Sequence, residues 1–101
     1  MRDAPSKILL IVAPSADLAK AWARGEGLGA ALGLGSVRIV THARGLRGWR
    51  VGTLVQLIGF DLMQPVRRYE ISTALDVYFA TGRLKVATVS DLQTLKDEVT
   101  A

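Results

Sequence analysis

Residues 7–13 read KILLIVA, and this stretch decides the fold. It is a continuous run of Ile, Leu and Val that Pro14 ends, and strands buried on both faces of a parallel sheet have this composition and length. Ser15 is suited to cap a following helix, with Asp17 in the first turn, where the helix dipole favours an anion. The stretch therefore predicts a buried strand that leads directly into a helix.

The rest of the chain continues this alternation of strand and helix. Strands are expected at residues 37–41, 53–60 and 84–89, and a long helix at residues 65–81. A final helix is expected at Ser90, whose side chain can form a capping box with Gln93. Residues 25–35 contain five glycines and are interpreted as the end of a helix followed by a flexible segment. Residues 42–52 are interpreted as a polar connection with room for one helical turn.

Strands that alternate with helices predict an α/β fold with a parallel sheet. Crossovers between parallel strands are right-handed, and the two most apolar strands, the first and the third, belong at the centre. Arg38 and Lys85 favour edge positions for the second and fourth strands. We therefore expect one three-layer domain over residues 1–101, Rossmann-like or flavodoxin-like, with a four-stranded parallel sheet in the order 2-1-3-4. Residues 1–6 are expected to be flexible.

The composition excludes several classes of site. The 101 residues include no cysteine and one histidine, so disulfides, thiolate zinc sites and histidine-rich metal sites are excluded, and no metal or cofactor is expected. The longest apolar run, residues 8–14, is far shorter than the roughly 18–20 residues of a membrane span, so no membrane partner is expected. No glycine-rich stretch ends in Gly-Lys-Ser/Thr, which excludes a P-loop.

The most specific local feature is the stretch ARGLRGWR at residues 43–50, which surrounds one tryptophan with three arginines. Arginine beside an aromatic platform is typical of single-stranded nucleic-acid binding, in which charge meets phosphates and rings stack on bases. The alternative is a loop whose Leu46 and Trp49 lie under the sheet while the arginines face water. The candidate residues for nucleic-acid or partner binding are Arg44, Arg47, Trp49, Arg50, Arg67 and Arg68.

Two further hypotheses concern the carboxyl ends of the strands, where open α/β sheets bind their ligands. Ser15 at a helix N-terminus, with Arg44 nearby, is a candidate site for a phosphate or carboxylate. Ser15, His42 and Asp61 can also reach one edge of the sheet, but no G-x-S-x-G pattern surrounds the serine. The sequence therefore favours a binding protein over an enzyme.

The helix at residues 65–81 is apolar on more than one face. Ile71, Leu75 and Tyr78 form its core stripe, and Val77 and Phe79 lie outside that stripe. A helix of this kind is either deeply buried or has a partner. Val77 and Phe79 are therefore candidate interface residues.

Four short stretches resemble a known group of proteins: KILLIVAP, VRIVT, Gly45-Leu46-Arg47-Gly48 and a strand that ends in LIGF. Over about residues 7–82 the chain resembles small proteins of unknown function encoded by phages of actinobacteria. The same segment is similar to half of a RecA-like domain, but Pro14-Ser15-Ala16 stands where such domains have a P-loop. The phage resemblance implies a cytoplasmic accessory protein in a bacterial host, and it carries no catalytic residue over.

These observations favour a non-enzymatic α/β module that binds a protein partner or forms a homo-oligomer. The main alternative is nucleic-acid binding through the loop of residues 44–50. A third is a small anionic ligand or nucleotide at the carboxyl ends of the strands.

Overall fold

The computed structural model describes residues 8–100 of the chain, so the expectation for residues 1–6 lies outside the described residues. Strands and helices alternate along the chain, with two short 3-10 helices at Ala43–Leu46 and Phe60–Leu62. The strands are Leu9–Val12 (β1), Val37–Val40 (β2), Thr53–Leu57 (β3) and Leu84–Val86 (β4). The helices are Ala16–Gly25 (α1), Gly29–Leu34 (α2), Pro65–Ala80 (α3) and Val89–Thr100 (α4).

The sheet has the predicted architecture. All its strands are parallel and their order is β2-β1-β3-β4, which confirms the α/β class and the 2-1-3-4 order. Leu9 in β1 lies opposite Val37 on one side and Leu54 on the other. Every residue of β1 is buried, because the strand has neighbours on both sides and is covered on both faces.

The alternation of side chains along β1 divides the core in two. Leu9 and Ile11 pack with residues of α1, α2 and α4, and we call this side the three-helix face. Leu10 and Val12 pack with residues of α3 and of the segment between β2 and β3, and we call this side the α3 face. The two faces therefore differ in how much helix covers them.

The sequence predicts a flexible connection between α1 and β2. This prediction is partly wrong, because the connection contains the helix α2. Leu28 and Ala31 are buried in the core of the three-helix face, and this burial holds a short helix despite its glycines. Gly35 ends the helix in the left-handed region, at φ +87°.

The fourth strand is shorter than predicted, and the capping box lies two residues earlier. β4 ends at Val86 and α4 begins at Val89. The N–H of Asp91 donates to Thr88 Oγ1 (3.1 Å) and the N–H of Thr88 donates to Asp91 Oδ2 (3.0 Å). Thr88 and Asp91 therefore take the roles that the sequence suggested for Ser90 and Gln93.

Among residues 8–100, no helix has both the length and the hydropathy that crossing a membrane requires.

Candidate functional site

The segment of residues 43–52, which we call the Arg loop, connects the end of β2 to the start of β3 across the α3 face. Its 3-10 helix begins with a bond from the Gly45 N–H to the His42 carbonyl (3.0 Å), and Leu46 is buried in the core. A Cβ on Gly45 would lie 3.0 Å from Val40 Cγ1, so glycine is what allows the loop to approach β2 closely. The loop is thus packed onto the sheet.

Trp49 is part of this packing. Its indole N–H donates to the Gly45 carbonyl (2.7 Å), and its ring packs against the core of the α3 face. The guanidinium carbon of Arg38 lies over the ring, 5.8 Å from the centroid, which is a cation–π distance. Trp49 therefore holds the loop together, as in the second of the two interpretations of this stretch, and its ring is half-buried.

In contrast to Trp49, the three arginines of the Arg loop lie at the protein surface. Arg44, Arg47 and Arg50 are all exposed. Among residues 8–100, no hydrogen bond or ion pair involves the side chains of these arginines. The loop therefore presents three uncompensated cations from a backbone that its own contacts hold in place.

Arg67 and Arg68, at the start of α3, use their guanidinium groups inside the protein. Nη1 of Arg67 donates to the carbonyl of Pro14 (2.9 Å) and, at 3.5 Å, to that of Thr41. Nη1 of Arg68 donates to the Asp61 carbonyl (3.1 Å). Both side chains are half-buried. Arg67 joins the ends of β1 and β2 to α3, so its role on the described surface is structural.

At the ends of β1 and β3, where a sheet of this order would bind a ligand, side chains of the protein lie close to the backbone of Gly59. Gly59 has φ +58°, and a Cβ on it would lie 2.8 Å from Leu18 Cδ2 and 3.6 Å from Pro14 Cδ. A leucine methyl group therefore packs directly over the backbone at the switch point. An apolar side chain therefore lies close to where a phosphate or nucleotide is expected, and the hypothesis of an anionic ligand there stays a prediction.

Ser15 and His42 also have local partners. Ser15 Oγ accepts a hydrogen bond from the Leu18 N–H (3.2 Å), so the serine caps α1 as predicted. Nδ1 of His42 is hydrogen-bonded to Thr41 Oγ1 (3.0 Å). No hydrogen bond among residues 8–100 links the side chains of Ser15, His42 and Asp61, or Ser15 with Arg44. In the same range, no cluster of three His, Cys, Asp or Glu side chains could hold a metal ion.

The outer side of α3 carries the other candidate surface. Val77 is exposed as an interface residue must be, whereas Phe79 is half-buried and packs against the core. The structure adds two exposed residues on this side that were not predicted: Val66 and Tyr69. Their signal was the spacing of Val66, Tyr69 and Val77 on the side of α3 opposite its core stripe.

No protein-family model matches this chain, and no curated protein or solved structure shows significant similarity to it. The resemblance to actinobacterial phage proteins therefore stays a prediction, and the function is inferred from the two surfaces of the α3 face.

Proposed function

We propose that this chain is a non-enzymatic binding module that binds another protein chain, a partner protein or a second copy of itself, through the outer side of α3. One observation carries the proposal. Three large apolar side chains lie on the outer side of α3, and each is more than half exposed: Val66 (62%), Tyr69 (73%) and Val77 (58%). We call them the α3 surface.

The spacing of these residues along α3 places them on one side of the helix. Val66, Tyr69 and Val77 are separated by intervals that return to the same side of an α-helix, while Ile71 and Leu75 are buried on the opposite side. In a small monomeric domain, the solvent-facing side of a helix normally consists of polar residues. Apolar residues on both sides of α3 are accounted for when a second protein covers the outer one.

The sheet beside α3 also has exposed apolar side chains. Val86 in β4 is in register with Val55, which packs in the core of the α3 face, so Val86 lies on that face as well. Val86 is 65% exposed. Leu57 is two residues after Val55 and therefore shares its face, and it too is exposed. α3 is the only α-helix on this face among residues 8–100, and it leaves part of β3 and β4 uncovered.

The charge around the α3 surface indicates the kind of partner. Glu70 and Asp76 are exposed on α3 itself. An interface commonly has an apolar centre and a polar rim of complementary charge. We therefore expect a partner that offers an apolar helix or strand with basic residues at its border.

Two observations support a binding module over an enzyme. Leu18 packs over Gly59 at the switch point, and the side chain of Ser15 is engaged in capping α1. The resemblance to phage proteins supports an accessory role in the cytoplasm of a bacterial host.

The experiment compares two charge substitutions at equally exposed apolar residues. Tyr69→Glu lies on the α3 surface, and Leu34→Glu lies on α2, on the other face of the sheet. Sedimentation velocity over a wide concentration range detects self-association, and affinity capture from host lysate detects a partner. We expect Tyr69→Glu to weaken the association at least about tenfold and Leu34→Glu to leave it unchanged.

Capture of a protein supports the proposal only when Tyr69→Glu abolishes the capture and Leu34→Glu does not. The proposal is wrong if the protein is monomeric at every concentration and no captured protein depends on Tyr69.

A further inference from the structure

We propose that the Arg loop is a second, independent binding surface that takes the phosphate backbone of nucleic acid through Arg44, Arg47 and Arg50, without reading the bases. This inference concerns a different part of the α3 face from the α3 surface and does not depend on it.

The charge of this region has one sign. Residues 27–60 contain no aspartate or glutamate, and they contain four arginines. Arg38 is the fourth, and its Nε–H donates to the Gly35 carbonyl (3.0 Å) beside its contact with Trp49. The other three arginines belong to the Arg loop and have no intramolecular acceptor among residues 8–100. Arginine in this state is suited to phosphate oxygens, which its planar group can bind in pairs.

The backbone that carries these arginines is held at three points. Leu46 is buried, and the indole of Trp49 is bonded to the Gly45 carbonyl. At the end of the loop, Thr53 Oγ1 donates to the Arg50 carbonyl (2.7 Å), and the Gly52 N–H donates to the Arg83 carbonyl (2.9 Å). A loop that is already ordered loses less conformational entropy when it binds.

The path of the loop separates its two ends by the length of the sheet. It begins at the carboxyl end of β2 and ends at the amino end of β3, and because these strands are parallel it must run the length of the sheet. β2 has four residues, so this length is about 13 Å, or about four base-pair steps of 3.4 Å. Exposed Arg83 follows at the far end. Cations spaced along such a path fit a linear polyanion better than a small anion, which needs converging donors.

The state of Trp49 decides how nucleic acid would be bound. Its N–H is bonded within the loop, its half-buried ring packs against the core, and Arg38 lies over the ring, so we expect it not to stack on a base. Phosphate contacts carry no sequence information. We therefore expect single strands and duplexes of any sequence to bind.

The test is fluorescence anisotropy with a short labelled duplex, oligothymidylate and a matched abasic strand. For three phosphate contacts, the logarithm of the duplex affinity should fall with the logarithm of salt at a slope of about −3. The variant Arg44→Gln/Arg47→Gln/Arg50→Gln should weaken binding more than about tenfold and flatten the slope. The abasic strand should bind within about threefold of oligothymidylate, because backbone contacts alone are involved.

The control variant removes the same charge from elsewhere. Lys20→Gln/Arg24→Gln/Lys85→Gln changes three exposed cations, two on α1 and one in register with Leu54, whose side chain packs on the three-helix face. This variant should keep at least half of the affinity. Circular dichroism of both triple variants shows whether the fold is retained. If the triple variant of the Arg loop unfolds, the three arginines are substituted one at a time.

Four results would overturn the proposal: no binding of any strand at low salt, an equal loss in the two triple variants, a strong preference for oligothymidylate over the abasic strand, or equal binding of labelled polyglutamate. The last would make the Arg loop a site for an acidic protein. Tyr69→Glu should leave nucleic-acid binding unchanged, so the outcome is separable from that of the α3 surface.

Discussion

The two faces of the sheet bury cores of similar size but present different surfaces. On the three-helix face, α1, α2 and α4 cover the strands, and among their described side chains the large apolar ones that are mostly exposed are Leu34, on α2, and Val89, at the start of α4. On the α3 face, a single α-helix and the Arg loop cover the strands. The helix exposes apolar side chains and the loop exposes arginines, and the packing of the sheet requires neither. Both binding surfaces proposed above lie on the α3 face, where one α-helix and a loop cover the sheet.

The largest effect should come from removing core side chains on either face. Leu10→Ala and Ile11→Ala truncate neighbouring, fully buried residues of β1 that point to opposite faces. Each should lower the free energy of unfolding by about 2–5 kcal/mol, because a buried cavity remains. Urea unfolding followed by circular dichroism measures both variants against the wild type.

Similar losses would establish that the α3 face is as well packed as the other, and that its exposed groups are additions to an intact core. A loss below about 1 kcal/mol for Leu10→Ala alone would contradict this comparison, because it would mean that the α3 face is loosely packed.

A pair of glycine substitutions should give smaller effects of opposite sign. Gly45→Ala places a methyl group 3.0 Å from Val40 Cγ1, so overpacking should cost about 1–3 kcal/mol of stability. Gly33→Ala lies in α2, where a Cβ meets nothing within 4 Å, and it should stabilise the protein by about 0.5–1 kcal/mol. Melting temperatures from calorimetry distinguish the two.

If Gly45→Ala proves as stabilising as Gly33→Ala, the Arg loop is able to move away from β2, and its arginines are not held on a rigid support.

An effect at the lower end of the range for Gly45→Ala is expected at Trp49. Trp49→Phe keeps an aromatic ring but removes the N–H that donates to the Gly45 carbonyl, so we expect a loss of about 1 kcal/mol in urea unfolding. Hydrogen exchange of the amides at residues 47–49 should become faster because the loop is less tightly held. Unchanged stability and exchange would show that the indole contact does not hold the loop. Trp22→Phe, on the other face, serves as the control because its packing involves only the three-helix core.

The sequence predicted the architecture because the relevant signals are local. The apolar run of β1 and the two charged strands were enough for the strand order, and Pro65 at the first helical position placed the start of α3. The same reasoning missed α2, because glycine-rich segments have a weak local preference for helix and the burial of Leu28 compensates for it. It also overlooked Tyr69, since interface residues were sought only at Val77 and Phe79.

The amino-acid sequence by itself determined the α/β class, the strand order and the concentration of arginine in the middle of the chain. Only the tertiary structure decided which arginines are available: Arg67 donates to a carbonyl 53 residues earlier in the chain, whereas Arg44 and Arg47 have no such acceptor among the described residues. It likewise decided that Trp49 packs against the core and that Leu18 lies next to Gly59 at the switch point. The physical reason is that periodicity encodes burial within one element, whereas contacts between distant residues depend on register and crossover geometry.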